Sequence, residues 1–367
     1  MADSADHPID FTRTPHPAPV SDTIRAQAIA DPGFGKVFTD HMVTIEWDED
    51  HGWHGATLGP RQPLSLDPAC AVLHYAQEIF EGLKAYRLAD GAMGLFRPHE
   101  NARRFNASAD RLAMPNLPEE TFVEAIRQLV LVDSGWFPPV QGGSLYIRPF
   151  MIATEAFLGV RPAKQYKFLV ILSAAGNYFK SGAPAVSIWV SQDYTRAAPG
   201  GTGAAKCGGN YAASLVPHAN AVARGMDQVC FLDAAEHRWV EELGGMNLFF
   251  VFDDGSLVTP PLTGTILPGI TRDSLLTIAR EEGLAVREER YAFDQWRADA
   301  QSGLLTEAFA CGTAAVVTPI GKVASHDGEF TVGSGGPGQT TQRLRDKLVS
   351  IQRGTTEDRH GWVMRLD

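Results

Sequence analysis

Cysteine and lysine are both scarce in this 367-residue chain. The 4 cysteines, at positions 70, 207, 230 and 311, stand far apart, which excludes a disulfide framework and any Cys-x-x-Cys pair. Lysine occurs 8 times against 24 arginines, and no basic run exceeds Arg103-Arg104. Cationic residues number 32 and acidic residues 43, a net charge of −11. The clustered cations that neutralise nucleic-acid phosphates or hold anionic membranes are therefore missing. No apolar stretch approaches the ~18 residues of a membrane span. The opening Met-Ala-Asp-Ser-Ala-Asp-His-Pro lacks the basic and apolar regions of a secretion signal. No fixed period runs through the 36 glycines, which argues against repeat or collagen-like designs. These absences lead us to expect a cytoplasmic, reducing location with no nucleic-acid or membrane partner. In that setting Asn106-Ala-Ser108 is a chance match to a glycosylation pattern.

What is present reads as an ordinary soluble globular protein. Hydrophobic residues make up 44% and charged residues 20%, with 19 Phe, 8 Tyr and 7 Trp to bury. The length suits two domains. Residues 1–33 are polar and rich in proline and read as an arm or loop. Strand signals follow at 36–47, 144–152, 166–174, 186–191, 228–232, 247–252 and 307–311. Helical periodicity appears at 97–112, with Pro98 in the first turn, and at 121–132, 210–224, 272–283 and 339–353. Residues 73–86 mix apolar and small residues and end in a turn into a strand. The segment 175–184 is rich in turn formers and reads as an interdomain linker, with one domain at 34–174 and the second at 185–367. Strands and helices mix in both halves, which gives α+β or α/β character throughout.

Several motifs fail on context. Gly333-Ser-Gly-Gly-Pro-Gly338 matches G-x-G-x-x-G, but only 29 residues follow and no acidic residue ends a second strand. Gly201-Thr-Gly-Ala-Ala-Lys206 suggests a phosphate loop, yet Cys207 follows the lysine where Ser or Thr is required. His51-x-x-His54 lies in a polar segment with no further ligand at metal spacing and reads as a solvated loop. No Gly-x-Ser-x-Gly elbow is present.

Lys206 survives this sifting. It sits in Gly200-Gly-Thr-Gly-Ala-Ala-Lys-Cys-Gly-Gly-Asn-Tyr211, where small neighbours leave room for a flat, bulky group. Lysine chemistry of this kind uses pyridoxal 5'-phosphate as electron sink. That cofactor wants a carboxylate at its ring nitrogen, a helix N-terminus with arginine at its phosphate, and a donor such as tyrosine at its 3′-oxygen. Glu241 and Glu242 lie between apolar runs. Leu267-Pro-Gly-Ile270-Thr271 opens the helix at 272–283, and Thr313-Ala314 follows a strand. Each has a plainer reading, as a surface acid, a helix cap or a strand-end hydroxyl. Together, in the order one cofactor needs, they point to one site.

At these residues the chain resembles the branched-chain aminotransferases, pyridoxal-phosphate enzymes of fold type IV. Lys206-Cys-Gly-Gly-Asn-Tyr211, Glu242-Leu-Gly-Gly-Met-Asn-Leu-Phe249 and Leu267-Pro-Gly-Ile-Thr-Arg272 carry the likeness. Phe34-Gly-Lys-Val-Phe-Thr-Asp-His-Met42, the stretch from His74 to Lys84, Leu95-Phe-Arg-Pro98 with Arg104, and Ser144-Leu-Tyr-Ile-Arg-Pro149 extend it over roughly 34–360. The resemblance implies a mixed α/β fold of two domains, the second with a strand-rich pseudo-barrel core. It implies transamination of L-leucine, L-isoleucine and L-valine with 2-oxoglutarate, in a homodimer. Lys206 would bind the cofactor covalently and shuttle the proton between substrate Cα and cofactor C4′. Tyr211 would donate to the 3′-oxygen, and Glu242 would pair with the ring nitrogen. Arg104, the Ile270 and Thr271 amides and the Thr313 hydroxyl would hold the phosphate, with Leu267 packed under the ring. Tyr146 and the Thr313-Ala314 backbone would face the substrate carboxylate. Phe34, Tyr75 and Phe80 would wall the aliphatic pocket, and Arg148 would order its Tyr146 side. D-Amino-acid aminotransferases and aminodeoxychorismate lyases share the same fold and are the nearest alternatives.

Two departures stand out. Some relatives carry a redox Cys-x-x-Cys where this chain has Ala315 and Thr318, so that thiol switch is missing. The same relatives have Thr where this chain has Gly245, so one hydroxyl contact must be replaced.

Overall fold

The computed structural model describes residues 9–140, 142–176 and 185–366. The chain divides into two compact units, Met1–Tyr178 with Gln352–Asp367, and Phe179–Ile351. Most of the 175–184 segment, residues 177–184, lies outside the described residues.

The first unit is built on a nine-stranded sheet. Its centre is antiparallel: Val37–Asp48 pairs with Gln165–Ala175, which pairs with Ser144–Ala153, which pairs with Leu83–Arg87. Two helices cover one face. Pro98–Arg111 begins with proline at its first turn and buries Ala102, Phe105 and Ala109 at helical spacing. Glu119–Val132 buries Phe122, Val123, Ile126, Leu129 and Val130. Phe105, Phe122 and the sheet's Phe168 meet with ring centroids 5.3–5.8 Å apart, so an aromatic trio joins both helices to the sheet.

The second unit contains a closed barrel. Val240–Leu243, Gln228–Leu232, Val186–Ser191, Val316–Ser325, Leu305–Gly312 and Asn247–Phe252 pair in that order, and Asn247–Phe252 returns to Val240–Leu243 through Glu242 and Asn247. One apolar cluster packs on these strands and includes Ile188, Val190, Leu243, Leu248, Phe250, Ala310 and Val323, with Trp296 from the helix Phe293–Ser302. Closure removes exposed sheet edges and fixes the ends of neighbouring strands relative to one another. The mixed α/β class with a strand-rich pseudo-barrel is the architecture the chain adopts.

Most elements fall within a few residues of their sequence signals, and four differ. The 1–33 arm contains a helix, Asp22–Ala30, which Ser21 caps by accepting from the Ile24 amide. The segment around His51-x-x-His54 is a β-hairpin rather than a loop. Gly52 turns the chain at φ +66, and Ala56 and Leu58 face the core from Gly52–Pro60. The pattern at 210–224 splits into Gly208–Ala212 and Leu215–Ala223. The tail beyond 352 belongs with the first unit, because Val363–Arg365 pairs with Met93–Phe96. That edge pairing joins residues far apart in sequence, which local periodicity does not register. Among the described residues no helix is long and apolar enough to cross a membrane.

Trp296 is fully buried, with Phe250 at 4.9 Å and Phe330 at 5.9 Å. Its indole N–H has no partner among the described residues. Trp296→Ala should cost about 3–5 kcal/mol in urea unfolding. Trp296→Phe, which keeps the ring contacts and deletes the unpaired N–H, should cost less than about 1.5 kcal/mol.

Candidate active site

In the second unit the loop before Gly208–Ala212 carries Lys206, and that helix carries Tyr211. Lys206 Nζ donates to the Tyr211 hydroxyl at 2.7 Å. The loop is held in shape by buried Asn210. Its side-chain amide donates to the Thr202 and Ala205 carbonyls at 2.7 and 2.8 Å, and its oxygen accepts from the Thr202 hydroxyl at 2.7 Å.

Glu242 lies in the barrel strand Val240–Leu243, and both it and its partner Arg196 have side chains only 2% exposed. Arg196 Nη1 stands 2.7 Å from Glu242 Oε1, and the same oxygen accepts from the Leu267 amide at 3.1 Å. Burial raises the Glu242 pKa to about 7, although Arg196 and the Leu267 amide pull it down. Next to it, burial also raises Glu241, whose carboxylate accepts from the Thr265 hydroxyl at 2.5 Å.

Leu267 is buried and its carbonyl accepts from the side-chain amide of Asn247 at 3.0 Å. Two residues on, Gly269 starts the helix Ile270–Glu281, and no side chain caps it. The first amides of that helix, those of Ile270 and Thr271, therefore have no intrahelical acceptor and present the positive end of the dipole. Thr313 and Ala314 form the turn between Leu305–Gly312 and Val316–Ser325. The turn ends at Val316 with φ +63, a left-handed conformation that β-branched residues rarely adopt.

In the first unit a separate cluster gathers Phe34, Phe80, Tyr146 and Arg148. The Phe34 ring meets Tyr146 edge-on at 4.8 Å. The Arg148 guanidinium lies 4.8 Å from the Phe80 ring centre and 5.4 Å from that of Tyr146, and Nη2 donates to the Tyr146 hydroxyl at 3.1 Å. Its Nε is buried with no partner among the described residues. Tyr75 is more exposed, with its hydroxyl donating to the Leu158 carbonyl at 2.7 Å and its ring against His74. Arg104, on Pro98–Arg111, gives Nε and Nη2 to both oxygens of fully buried Glu81 at 2.7 and 2.9 Å. Asn101 donates to the same carboxylate at 2.6 Å.

The comparisons with known proteins agree. The family described as amino-transferase class IV matches residues 78–323. The branched-chain-amino-acid aminotransferase of Mycolicibacterium smegmatis is 57% identical over 364 residues, 98% of this chain and 99% of that protein. The probable enzyme of the same name from Streptomyces coelicolor is 59% identical over 354 residues, 96% of this chain and 97% of that one. The chain belongs to the branched-chain-amino-acid aminotransferases. Among solved structures, the Escherichia coli branched-chain amino acid aminotransferase matches with a TM-score of 0.72 at 31% identity, covering 89% of this chain and 99% of that one. A second solved branched-chain amino acid aminotransferase, that of T.th., matches with a TM-score of 0.72 at 29% identity, covering 88% of this chain and 98% of that one. That enzyme has been solved with N-(5'-phosphopyridoxyl)-L-glutamate and with pyridoxamine 5'-phosphate.

Four residues that position the candidate groups were not singled out from the sequence, although Glu81 and Asn210 lie inside stretches that carry the family likeness. Arg196 donates to the Gly203 and Thr265 carbonyls as well as pairing with Glu242. Glu81 and Asn101 bond other side chains, and Asn210 holds backbone carbonyls of the lysine loop. A buried partner for each candidate charge was the available clue, because lone buried charges are not tolerated. At Gly245 a Cβ would meet only Tyr211 Cε1 at 3.7 Å, so the space of the lost threonine side chain is open.

A carboxyl whose folded pKa is raised binds its proton more tightly folded than unfolded. Its contribution to stability therefore falls as pH rises from the ordinary 4.5 through about 7. In cofactor-free protein, Glu242→Gln should flatten that part of the unfolding-midpoint profile. An unchanged slope would show that Glu242 does not titrate there.

Proposed function

We propose that this protein is a pyridoxal-phosphate-dependent transaminase for L-leucine, L-isoleucine and L-valine, with 2-oxoglutarate as acceptor. The products are the branched-chain 2-oxo acids and L-glutamate, and the reaction is reversible. One observation carries the reading. In a chain 55–59% identical to enzymes of that name, a lysine amine bonded to a tyrosine hydroxyl at 2.7 Å shares a compact unit with a buried, arginine-clamped carboxylate.

The donor set fits the cofactor. Glu242 keeps Oε2 clear of the Arg196 and Leu267 contacts, suited to a ring N–H. Tyr211 suits the 3′-oxygen. The uncapped amides of Ile270 and Thr271, with the Thr313 hydroxyl and the Arg104 guanidinium, suit a phosphate dianion. When bound, pyridoxal phosphate supplies an electron sink for the charge left at substrate Cα.

Lys206 would anchor the cofactor, and its amine would move the proton between substrate Cα and cofactor C4′. General-base transfer of this kind is worth about 10²–10⁴-fold. Glu242 holds the ring-nitrogen proton, and Arg196 holds Glu242. Leu267 packs under the ring. Tyr146 and the Thr313-Ala314 backbone face the substrate carboxylate, while Phe34, Tyr75 and Phe80 enclose its aliphatic side chain.

One pocket must also take the side-chain carboxylate of glutamate, and burying that charge unpaired would cost several kcal/mol. Arg148 answers the demand, as a guanidinium stacked on two aromatic rings with a buried Nε that has no partner among the described residues. We further read the protein as a cytoplasmic homodimer. Exposed Leu158 and Val160 in one unit and Leu215, Val216 and Val222 in the other suit burial against a second copy. The 4 cysteines are buried and free, as suits a reducing compartment.

Borohydride should fix the cofactor to the peptide bearing Lys206 in mass spectra. Lys206→Ala should retain bound cofactor yet lose transamination, and retained turnover would refute its role. A substrate panel should give turnover with leucine and none with D-alanine. Arg148→Ala should raise the KM for 2-oxoglutarate more than that for leucine, and equal losses would remove its selective role.

A further inference from the structure

We propose that Gly82 is a positioning and specificity-determining residue, because the space of its absent side chain is occupied by the Tyr146 hydroxyl. A Cβ at Gly82 would lie 2.2 Å from Tyr146 Oη and 3.1 Å from Cζ. Gly82 stands at the entry to Leu83–Arg87, whose neighbour Ser144–Ala153 carries Tyr146 and Arg148.

The Gly82 backbone is the more firmly tied of the two partners. The Gly82 amide donates to Glu81 Oε2 at 3.0 Å, its carbonyl accepts from Asn101 Nδ2 at 3.4 Å, and the Glu81 amide is tied to the Pro149 carbonyl at 2.7 Å. Glu81 itself is fully buried and bonded to Arg104 and Asn101, so the peptide before Gly82 is fixed. On the other side Tyr146 is held edge-on by Phe34 at 4.8 Å and bonded through its hydroxyl to Arg148. A methyl at position 82 must therefore push the phenol outward by roughly 1 Å to reach ordinary contact. Arg148, whose Nη2 donates to that hydroxyl and whose guanidinium stacks on the ring, must move with it.

The inference rests on the substrate roles given above to Tyr146 and Arg148, and it adds what fixes their place. Gly82 sets where the hydroxyl sits, and the hydroxyl sets where the guanidinium sits. Displacing both affects binding of either substrate through Tyr146, and 2-oxoglutarate doubly, through Tyr146 and Arg148. Lys206 and Glu242 belong to the other compact unit.

The test is a cycle of Gly82→Ala, Tyr146→Phe and the double variant in the holoenzyme, read by steady-state kinetics and by unfolding midpoint. Misplacement of this size can cost up to about 10²-fold. Gly82→Ala should raise the 2-oxoglutarate KM by about tenfold or more, the leucine KM by less, and leave kcat within about threefold. Deleting the hydroxyl removes the 2.2 Å clash. The double variant should therefore match Tyr146→Phe alone in KM and recover the midpoint lost in Gly82→Ala. Wild-type KM values in Gly82→Ala, or KM effects that multiply in the double variant, would overturn the proposal. If Tyr146→Phe alone leaves both KM values unchanged, the substrate role of Tyr146 falls. The midpoint cycle then still judges the packing of Gly82 against the hydroxyl.

Discussion

Arg196 and Glu242 are both withdrawn almost completely from water, a position in which either charge alone would be costly. Their pairing makes each tolerable, and it also joins separate parts of the chain. The guanidinium reaches the Gly203 carbonyl in the lysine loop and the Thr265 carbonyl ahead of the helix that begins at Ile270. Glu242 in turn accepts the Leu267 amide. The loop bearing the amine, the strand bearing the carboxylate and the segment leading to the uncapped helix are thus tied at one knot. A net stabilising role for the pair is not required. Its value is positional, since parting the two would leave each a buried charge without its partner.

The first unit uses the same device at a different place. Glu81 is buried without exposure and is satisfied by Arg104, Asn101 and the Gly82 amide. In each unit a residue assigned to the chemistry, Glu242 or Arg104, is oriented by a buried partner of opposite charge. The aromatic cluster around Arg148 differs, because its guanidinium is held by rings and one hydroxyl and keeps a buried N–H that has no partner among the described residues. That arrangement is what motivates the anion-binding role proposed for Arg148.

Much of the architecture was legible because it rests on local signals. Phe105, Ala109 and Phe122 lie at helical spacing, and the strands 186–191, 228–232 and 247–252 are continuous apolar runs bounded by turn formers. The candidate residues were legible through motif resemblance and the three demands of one cofactor. What escaped was non-local. The hairpin at Gly52 depends on pairing with Val37–Asp48, and the tail Val363–Arg365 finds its partner more than 260 residues upstream. Arg196 looks like any other arginine until folding sets it against Glu242. Position 82 reads in sequence as a turn glycine, and only the Tyr146 hydroxyl shows what its missing carbon makes room for.

The ring of strands in the second unit is completed at the Glu242–Asn247 pair. These two residues also grip Leu267, one through its amide and the other through its carbonyl. The last stitch of the cylinder is therefore sewn from the residues that frame the reaction chamber. Closure of the cylinder and placement of the proposed cofactor groups thus rest on the same two residues.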